Sequence, residues 1–194
     1  MDYFKNLIKK INNNKNIISV TNLDIKTCEN NYSFELFGKT ISDEVKTIYN
    51  TYITFKLSWE CKINKQRGFV DFIPYKKIIL EHENLCAGIE DFESELIDEQ
   101  DKVIGDIKHW YPVFTFPNGD KFCYDDRTGN ILFYEHDVFD VGINLHGLVI
   151  ADSIDSLFKN WSNVLFVDIY DWSEGVSENG IDISKEIFEF VSQL

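Results

Sequence analysis

The chain of 194 residues has only three Pro and ten Gly, too few for a protein built around linkers. No apolar run approaches 18 residues, so the sequence predicts no membrane-spanning helix. The first residues, MDYFKNLIKKINNNK, lack the uninterrupted apolar core and the small-residue cleavage site of a signal peptide. We therefore expect a cytoplasmic protein that does not associate with membranes.

Cysteine is also sparse, and its four residues are far apart in the chain. No two of Cys28, Cys61, Cys86 and Cys123 are close enough for the short ligand spacing that is usual in structural zinc sites. We expect reduced, partly buried thiols, with no metal and no cofactor.

Basic residues are sparse in the second part of the sequence, residues 81–194. Residues 1–80 carry 13 basic and 8 acidic side chains, a net charge of +5, whereas residues 81–194 carry 6 basic and 25 acidic ones, a net charge of −19. The negative electrostatic potential of residues 81–194 would repel nucleic acid and anionic membranes, and it would attract a basic partner. Solubility alone is the alternative explanation of the acidic composition.

The hydrophobic fraction of 44%, with 15% aromatic residues, is typical of a globular chain and argues against disorder. Helical spacing predicts a first helix with Phe4, Leu7 and Ile11 on its apolar face. Ser42 is a suitable N-cap for the next helix. Residues 22–38 are ambiguous between a helix and a turn.

Alternating residues predict a hairpin from 55–63 and 68–74, because a period of two is typical of a half-buried strand. Two turn signals, Asn118-Gly119 and Gly129-Asn130, divide the following aromatic stretch. They predict a three-stranded meander over roughly 110–116, 121–125 and 131–135. A helix capped by Ser153 and a last helix from Ser184 complete the prediction.

The stretch FPNGDKFCYDDRTGN combines three aspartates, a cysteine and two glycines, residue types that also occur in catalytic and metal-binding loops. A calcium loop is excluded, since Phe122 and Tyr124 would occupy ligand positions. Asp125 and Asp126 are adjacent, so a strand would direct them to opposite faces. The stretch is therefore interpreted as turn and sheet architecture.

The search for catalytic motifs finds no phosphate loop, no nucleophile elbow and no HExxH helix. The histidines are scattered, and we predict no catalytic residue. Spacing cannot exclude a Cys–His pair that the fold assembles. Two carboxylates, or a Cys–His pair, at hydrogen-bond distance within a pocket would favour a cryptic enzyme instead.

The order of elements over residues 40–162 resembles that of the SUKH superfamily, the Smi/Knr group that includes many bacterial immunity proteins. The segments that carry the resemblance are GFVDFIP, WYPVF, NGDKFCYD, GNILFYEHD and IADSIDSLFKNW. The usual Leu-Pro entry to the first core helix is absent, and GKTISDEV stands in its place. The matching positions are Trp59, Gly68, Pro74, Trp110, Pro112, Gly119, Asp120, Cys123, Asp125, Gly129, Ala151, Ser153, Leu157 and Phe158.

The resemblance implies one α+β domain over residues 1–194, with a twisted, mainly antiparallel sheet of about five to six strands and helices packed against it. Around the core at 40–162 we expect an N-terminal helical extension, 1–39, and a C-terminal helical tail, 163–194. Structural roles are expected for Trp59, Gly68, Trp110, Gly119, Asp120, Asp125 and Gly129.

The resemblance also implies a non-catalytic immunity protein that binds and neutralises a cognate toxin domain, expected to be a basic nuclease or similar, through acidic and aromatic side chains. A general interaction or regulatory module of the same fold, without a toxin partner, is the alternative. The candidate contacts are Glu90, Asp91, Glu93, Glu95, Asp98, Glu99, Asp168, Asp171, Trp172 and Glu174.

Overall fold

The computed structural model describes residues 2–90, 104, 106–138 and 144–194, with the backbone alone at residues 39, 40, 89 and 90. Its helices are α1 (Tyr3–Asn13), α2 (Asp43–Thr51), α3 (Tyr75–Glu90), α4 (Ile154–Asn163) and α5 (Glu189–Ser192). Its longer strands are β1 (Ile18–Thr27), β2 (Tyr52–Cys61), β3 (Arg67–Asp71), β4 (Trp110–Thr115), β5 (Lys121–Asp125) and β6 (Ile131–Tyr134). Its short strands are β7 (Val149–Ala151), β8 (Val167–Asp168), β9 (Val176–Ser177) and β10 (Gly180–Ile181).

The strands form two antiparallel sheets, which confirms the α+β class of a single domain. One sheet has four strands in the order β1-β2-β3-β8, and the other has six in the order β4-β5-β6-β7-β10-β9. The predicted hairpin is β2–β3, and the predicted meander is β4–β5–β6. The Ser42 cap of α2 and the Ser153 cap of α4 are both confirmed, since each hydroxyl accepts a backbone N–H bond.

The N-terminal segment differs from the expected helical extension, because α1 is followed by the ten-residue strand β1. Its apolar side chains fall at Ile18 and Val20 and then at Leu23 and Ile25, so the alternation changes phase once. The register of β1 against β2 shifts between Val20 and Asn22. This bulge inserts one residue and hides the period of two from a pattern search.

The C-terminal segment also differs from the expected helical tail. Strand β8 extends the four-stranded sheet through β3, whereas β9 and β10 extend the six-stranded sheet through β7. Only two residues form each of these strands, too few to show a period in the sequence. Residues 163–194 are therefore integral to both sheets.

One apolar core connects the two sheets, and aromatic rings fill much of it. Phe4 of α1 stacks on Phe55 with ring centroids 3.9 Å apart, and Trp161 of α4 packs edge-on to Phe114 at 5.2 Å. A backbone bridge from Phe72 to Phe114 links the ends of the sheets. None of the described helices combines the length and the apolar character needed to cross a membrane.

Candidate functional site: an acidic cleft

A cleft of about 640 Å³ lies where the β8 edge of the four-stranded sheet meets the β4–β5 turn and the end of β6. Strands β3 and β8 form one wall, and the turn 116–120 with the segment after β6 forms the other. The acidic side chains of this cleft are Asp120, Glu135, Asp137 and Asp168. The basic ones are Lys65, Arg67 and, when it is protonated, His136.

The FPNGD turn builds the second wall by local hydrogen bonding. Gly119 has a φ of +99°, which favours glycine, and its amide donates to the Phe116 carbonyl. The Asn118 side-chain oxygen accepts from the Asp120 amide at 3.2 Å. Oδ1 of Asp120 in turn accepts from the backbone amide of His136 at 3.0 Å and lies 2.9 Å from Nδ1 of its ring. The turn is thus sheet architecture, as expected, and it also holds a carboxylate at the cleft.

Glu135 fixes the chain that closes this wall. One carboxylate oxygen accepts three backbone N–H bonds, from Asn144, Leu145 and His146, at 3.0, 2.9 and 2.8 Å. The residue is only 8% exposed. Its charge is satisfied by these donors, so Glu135 acts as a structural anion beneath the more accessible carboxylates.

The opposite wall depends on two consecutive left-handed residues between α4 and β8. Leu165 and Phe166 have φ values of 56° and 53°, an uncommon conformation for large side chains. Two buried indoles hold the turn: Trp59 donates to the Leu165 carbonyl at 2.9 Å, and Trp161 donates to the Val167 carbonyl at 2.8 Å. Strain of this kind persists only where surrounding contacts determine it, and here it directs β8 along the cleft.

Asp168 is the carboxylate that this arrangement leaves least compensated. Burial raises its pKa to about 6, repulsion by Asp120 adds to the increase, and Arg67 offsets only part of it. No donor from the described part of the chain forms a hydrogen bond with its carboxylate. A half-buried carboxylate of this kind is more stable when a cation approaches it.

Tyr170 stands at the rim of the cleft with its side chain fully exposed. In the sequence VDIYDW, Val167 and Ile169 are buried, so the alternation brings Asp168 and Tyr170 to the accessible side. Sequence reasoning missed Tyr170, because the two-residue strand β8 is too short to establish a period of two. Tyrosine is enriched at protein-binding surfaces, so an exposed tyrosine at the rim of a cleft is a candidate contact.

Trp172 corrects one prediction, because it is 2% exposed and cannot be a surface contact. Its ring packs on Phe122 at 4.9 Å, Trp161 at 6.1 Å and Phe116 at 6.2 Å. The indole therefore supports the floor of the cleft. Trp172 has acidic neighbours in the sequence, but burial of its indole against the aromatic core determines its position.

The other predicted contacts are dispersed. Asp171 caps the turn 172–174 through the Ser173 amide at 2.9 Å. Glu174 is exposed and lines a neighbouring groove of about 810 Å³. Glu90 is the last residue of α3, described by its backbone alone. Asp91, Glu93, Glu95, Asp98 and Glu99 lie outside the described residues.

The residues expected to have structural roles lie in the sheets and their turns. Trp59 and Gly68 are paired across β2–β3, and a Cβ on Gly68 would lie 1.9 Å from the Trp59 indole nitrogen. Only glycine fits there. Trp110 is buried beside His146, and Gly129 has a φ of +80° in the second turn.

Asp125 is 1% exposed at the end of β5. It accepts hydrogen bonds from the backbone N–H and the guanidinium of Arg127 at 2.8 to 3.1 Å. Burial alone would raise the pKa of Asp125, but the Arg127 hydrogen bonds and charge outweigh it and hold the pKa below its ordinary value.

Within the described ranges, no three His, Cys, Asp or Glu side chains are grouped so that they could hold a metal ion. All four cysteines are thiols. The structure does bring one Cys–His pair together, Cys86 and His82, away from the cleft. Comparison of the chain with protein-family models, curated proteins and solved structures found no match.

Proposed function

We propose that this protein is a SUKH-like immunity protein that binds a basic toxin domain in the cytoplasm and neutralises it without turnover. The observation that carries the proposal is the fully exposed Tyr170 beside Asp168, which is only partly compensated by Arg67, in an acidic cleft. An aromatic anchor gives apolar contact area, and the carboxylates give charge complementarity to Lys and Arg side chains.

The charge distribution supports a basic protein as the partner. The cleft belongs to residues 65–172, most of which lie in the part of the sequence that carries a net charge of −19. Opposite charge steers association and raises its rate at low salt. Carboxylates that project from a rigid sheet edge can occupy the basic cleft in which a nuclease would bind phosphates.

The energetics of Asp168 support binding more than a structural role. Its raised pKa means that the folded protein holds this carboxylate at a cost in stability at neutral pH. A cationic partner would stabilise the charged form and recover that free energy. Sites that reduce stability in this way are common where function requires them.

The test is to mix the purified protein with the toxin domain encoded beside its gene and to measure heat of binding and toxin activity. We expect a 1:1 complex, loss of toxin activity, and affinity that falls as salt is raised. Tyr170→Ala should weaken binding by about 2 kcal/mol, roughly 30-fold, because an exposed aromatic at the rim is the expected anchor.

Asp24→Asn is the matched control, because Asp24 is an exposed acid on β1, at the other edge of the four-stranded sheet from β8. It should leave affinity unchanged. Absence of a complex at micromolar concentration would overturn the toxin-binding function. Equal effects of Tyr170→Ala and Asp24→Asn would overturn the assignment of the cleft as the contact surface.

A further inference from the structure

The outer edge of the four-stranded sheet, formed by β1, is a second candidate surface. Among the described strands β1 pairs only with β2, and it ends the order β1-β2-β3-β8. It is ten residues long, and residues 19–23 are exposed. An edge of this kind presents a row of backbone N–H and C=O groups to a further strand.

The backbone groups of Ile25 face the open side of β1. The Phe55 carbonyl accepts from the Phe72 amide at 3.1 Å, so the backbone groups of Phe55 face β3. Ile25 is paired with Phe55 in the antiparallel register, and in such a pair the backbone groups of the two residues point away from each other. Leu23, two residues earlier, has the same orientation. Both residues therefore present a donor and an acceptor to the edge.

Apolar side chains also reach this edge on the core-facing side of the sheet. Val20 is paired with Trp59 and Leu23 with Leu57, so each shares the face of its partner in β2. The two β2 residues are buried, whereas Val20 is 43% exposed and Leu23 is 51% exposed. The core therefore covers β2 but leaves β1 partly uncovered, and an apolar neighbour at the edge would bury it further.

The other face of the same strands carries a row of alternating charge. Lys56 of β2 is paired with Asp71 of β3, and its Nζ lies 2.6 Å from the Asp71 carboxylate. On its other side Lys56 is paired with Asp24, which ends the row at the edge. Lys26 lies on this face as well, because it is two residues from Asp24 in the strand. A basic side chain on a further strand would continue the alternation.

These features make β1 complementary to a second copy of itself. When two β1 strands pair antiparallel with Ile25 opposite Ile25, Asp24 of each copy lies opposite Lys26 of the other. The outward backbone groups of Ile25 then bond to those of the second copy, and Leu23 and Ile25 of both copies form one apolar row. Registers centred on Asp24 or on Lys26 place like charges opposite each other instead. We propose that this protein forms a symmetric dimer through β1, which joins two four-stranded sheets into one of eight strands.

Edge strands are often protected from such pairing by a bulge, a proline or a lysine. The bulge of β1 lies between Val20 and Asn22, and residues 23–27 follow it without a proline. The lysine of this segment lies 4.0 Å from Asp24, so the segment has no net charge. Residues 23–27 also belong to the part of the sequence that lies outside the strongly acidic residues 81–194.

The dimer is separate from the proposed toxin contact. Strands β1 and β8 form opposite edges of the four-stranded sheet, and the acidic cleft lies at the β8 edge. Pairing through β1 uses none of the residues that line the cleft. Dimerisation and toxin binding can therefore be measured independently, and either can fail without the other.

Sedimentation velocity of the full-length protein over a concentration series tests the dimer. Two edge strands form a small contact, so we expect a dissociation constant in the micromolar range. Asp24→Lys and Lys26→Asp each place two pairs of like charges across the seam and should weaken dimerisation about tenfold. The double variant, Asp24→Lys with Lys26→Asp, restores opposite charges and should dimerise like the natural protein. Its recovery would exclude misfolding as the cause of the single effects. Glu178→Lys, in the exposed turn between β9 and β10, is the matched charge control and should not weaken dimerisation.

Disulfide cross-linking tests the register. Asp24→Cys and Lys26→Cys are made separately, each together with Cys28→Ser, because Cys28 is exposed and would also react. Residues directly opposite each other in an antiparallel pair are about 4.5 to 5.5 Å apart between Cα atoms, which is within the range of a disulfide. Under mild oxidation the equimolar mixture of the two variants should cross-link about ten times faster than either variant alone.

A protein that sediments as a monomer up to about 100 μM would overturn the dimer. A dimer that neither single charge reversal weakens, or that the double variant fails to restore, would overturn pairing through β1. Equal cross-linking rates in the mixture and in the single variants would overturn the register. A monomer that binds the toxin domain more weakly with Asp24→Lys would assign this edge to the toxin and not to a second copy.

Discussion

Buried carboxylates lie near both ends of the β4–β5–β6 meander, and their negative charge is compensated at one end but only partly at the other. At one end Asp125 is almost completely buried, is paired with Arg127 and has a lowered pKa. At the other end Asp168 is half-buried beside Asp120, with Arg67 only partly compensating, and its pKa is raised to about 6. Both residues are aspartates near the end of a strand, so residue type alone does not separate them.

The difference indicates which end is built for stability and which is available for binding. A carboxylate surrounded by its own donors gains little from a partner. A carboxylate close to a second carboxylate gains from any cation that approaches. The pairing of Asp125 with Arg127 rigidifies the turn after β5. The repulsion between Asp168 and Asp120 destabilises the free protein, and a bound cation would relieve it.

The largest expected effect is at the compensated end. Asp125→Ala removes the acceptor of the Arg127 backbone and guanidinium bonds and should lower the free energy of unfolding by about 3 kcal/mol. Urea denaturation at pH 7 measures this loss. Asp126→Asn is the matched control, since its partly exposed pair with His109 should contribute less than about 1 kcal/mol. Equal losses in the two variants would contradict the comparison.

A smaller effect is expected from His146, which lies behind the cleft. Burial lowers its pKa to about 4, so the unfolded chain binds the proton more tightly than the folded one. The stability contributed by the neutral ring is complete above about pH 6.5 and is lost as the pH falls towards 4. By pH 4.5 we expect a loss of about 2 kcal/mol from this group.

Urea denaturation of His146→Asn over pH 4.5 to 7 would test this prediction. The variant should be less stable at pH 7, because a buried ring is lost, but its stability should vary less with pH. Parallel curves for the variant and the natural protein would show that His146 does not couple folding to protonation.

The smallest effect has the opposite sign. The folded-state pKa of Asp168 is raised, so ionisation of this group lowers the stability of the folded state as the pH rises from about 4, and the loss is complete above about pH 6. Asp168→Asn should therefore stabilise the protein at pH 7 by about 1 kcal/mol, after allowance for solvent screening. The difference from the natural protein should vanish as the pH approaches 4. A destabilised variant at pH 7 would indicate that Asp168 has a structural role.

Much of the fold could be predicted because local rules act within single elements. The alternation around Trp59, the Asn118-Gly119 turn and the Ser153 cap each correspond to an observed strand, turn or helix start. Strand β1 could not be predicted because a bulge shifts its alternation of apolar and polar residues by one position. Strands β8, β9 and β10 could not be predicted because each has only two residues, too few to show an alternation.

The candidate site was less predictable, since it joins distant parts of the chain. Charge pattern pointed to Asp168 but could not pair it with Asp120, which lies in a turn on the other sheet. Trp172 was placed on the surface because its neighbours are acidic, whereas the aromatic rings around it determined its burial. Cys86 and His82 share a helix face by spacing alone, but only β4 orients the imidazole.

The sequence by itself determined the α+β class, the hairpin, the meander and the separation of charge, because these depend on neighbours a few residues apart. Tertiary structure alone decided that the strands divide into two sheets, that the left-handed turn at Leu165 and Phe166 directs Asp168 towards Asp120, and that Tyr170 stands exposed. The physical reason is that burial and charge compensation depend on which distant groups meet, and no local pattern specifies that meeting.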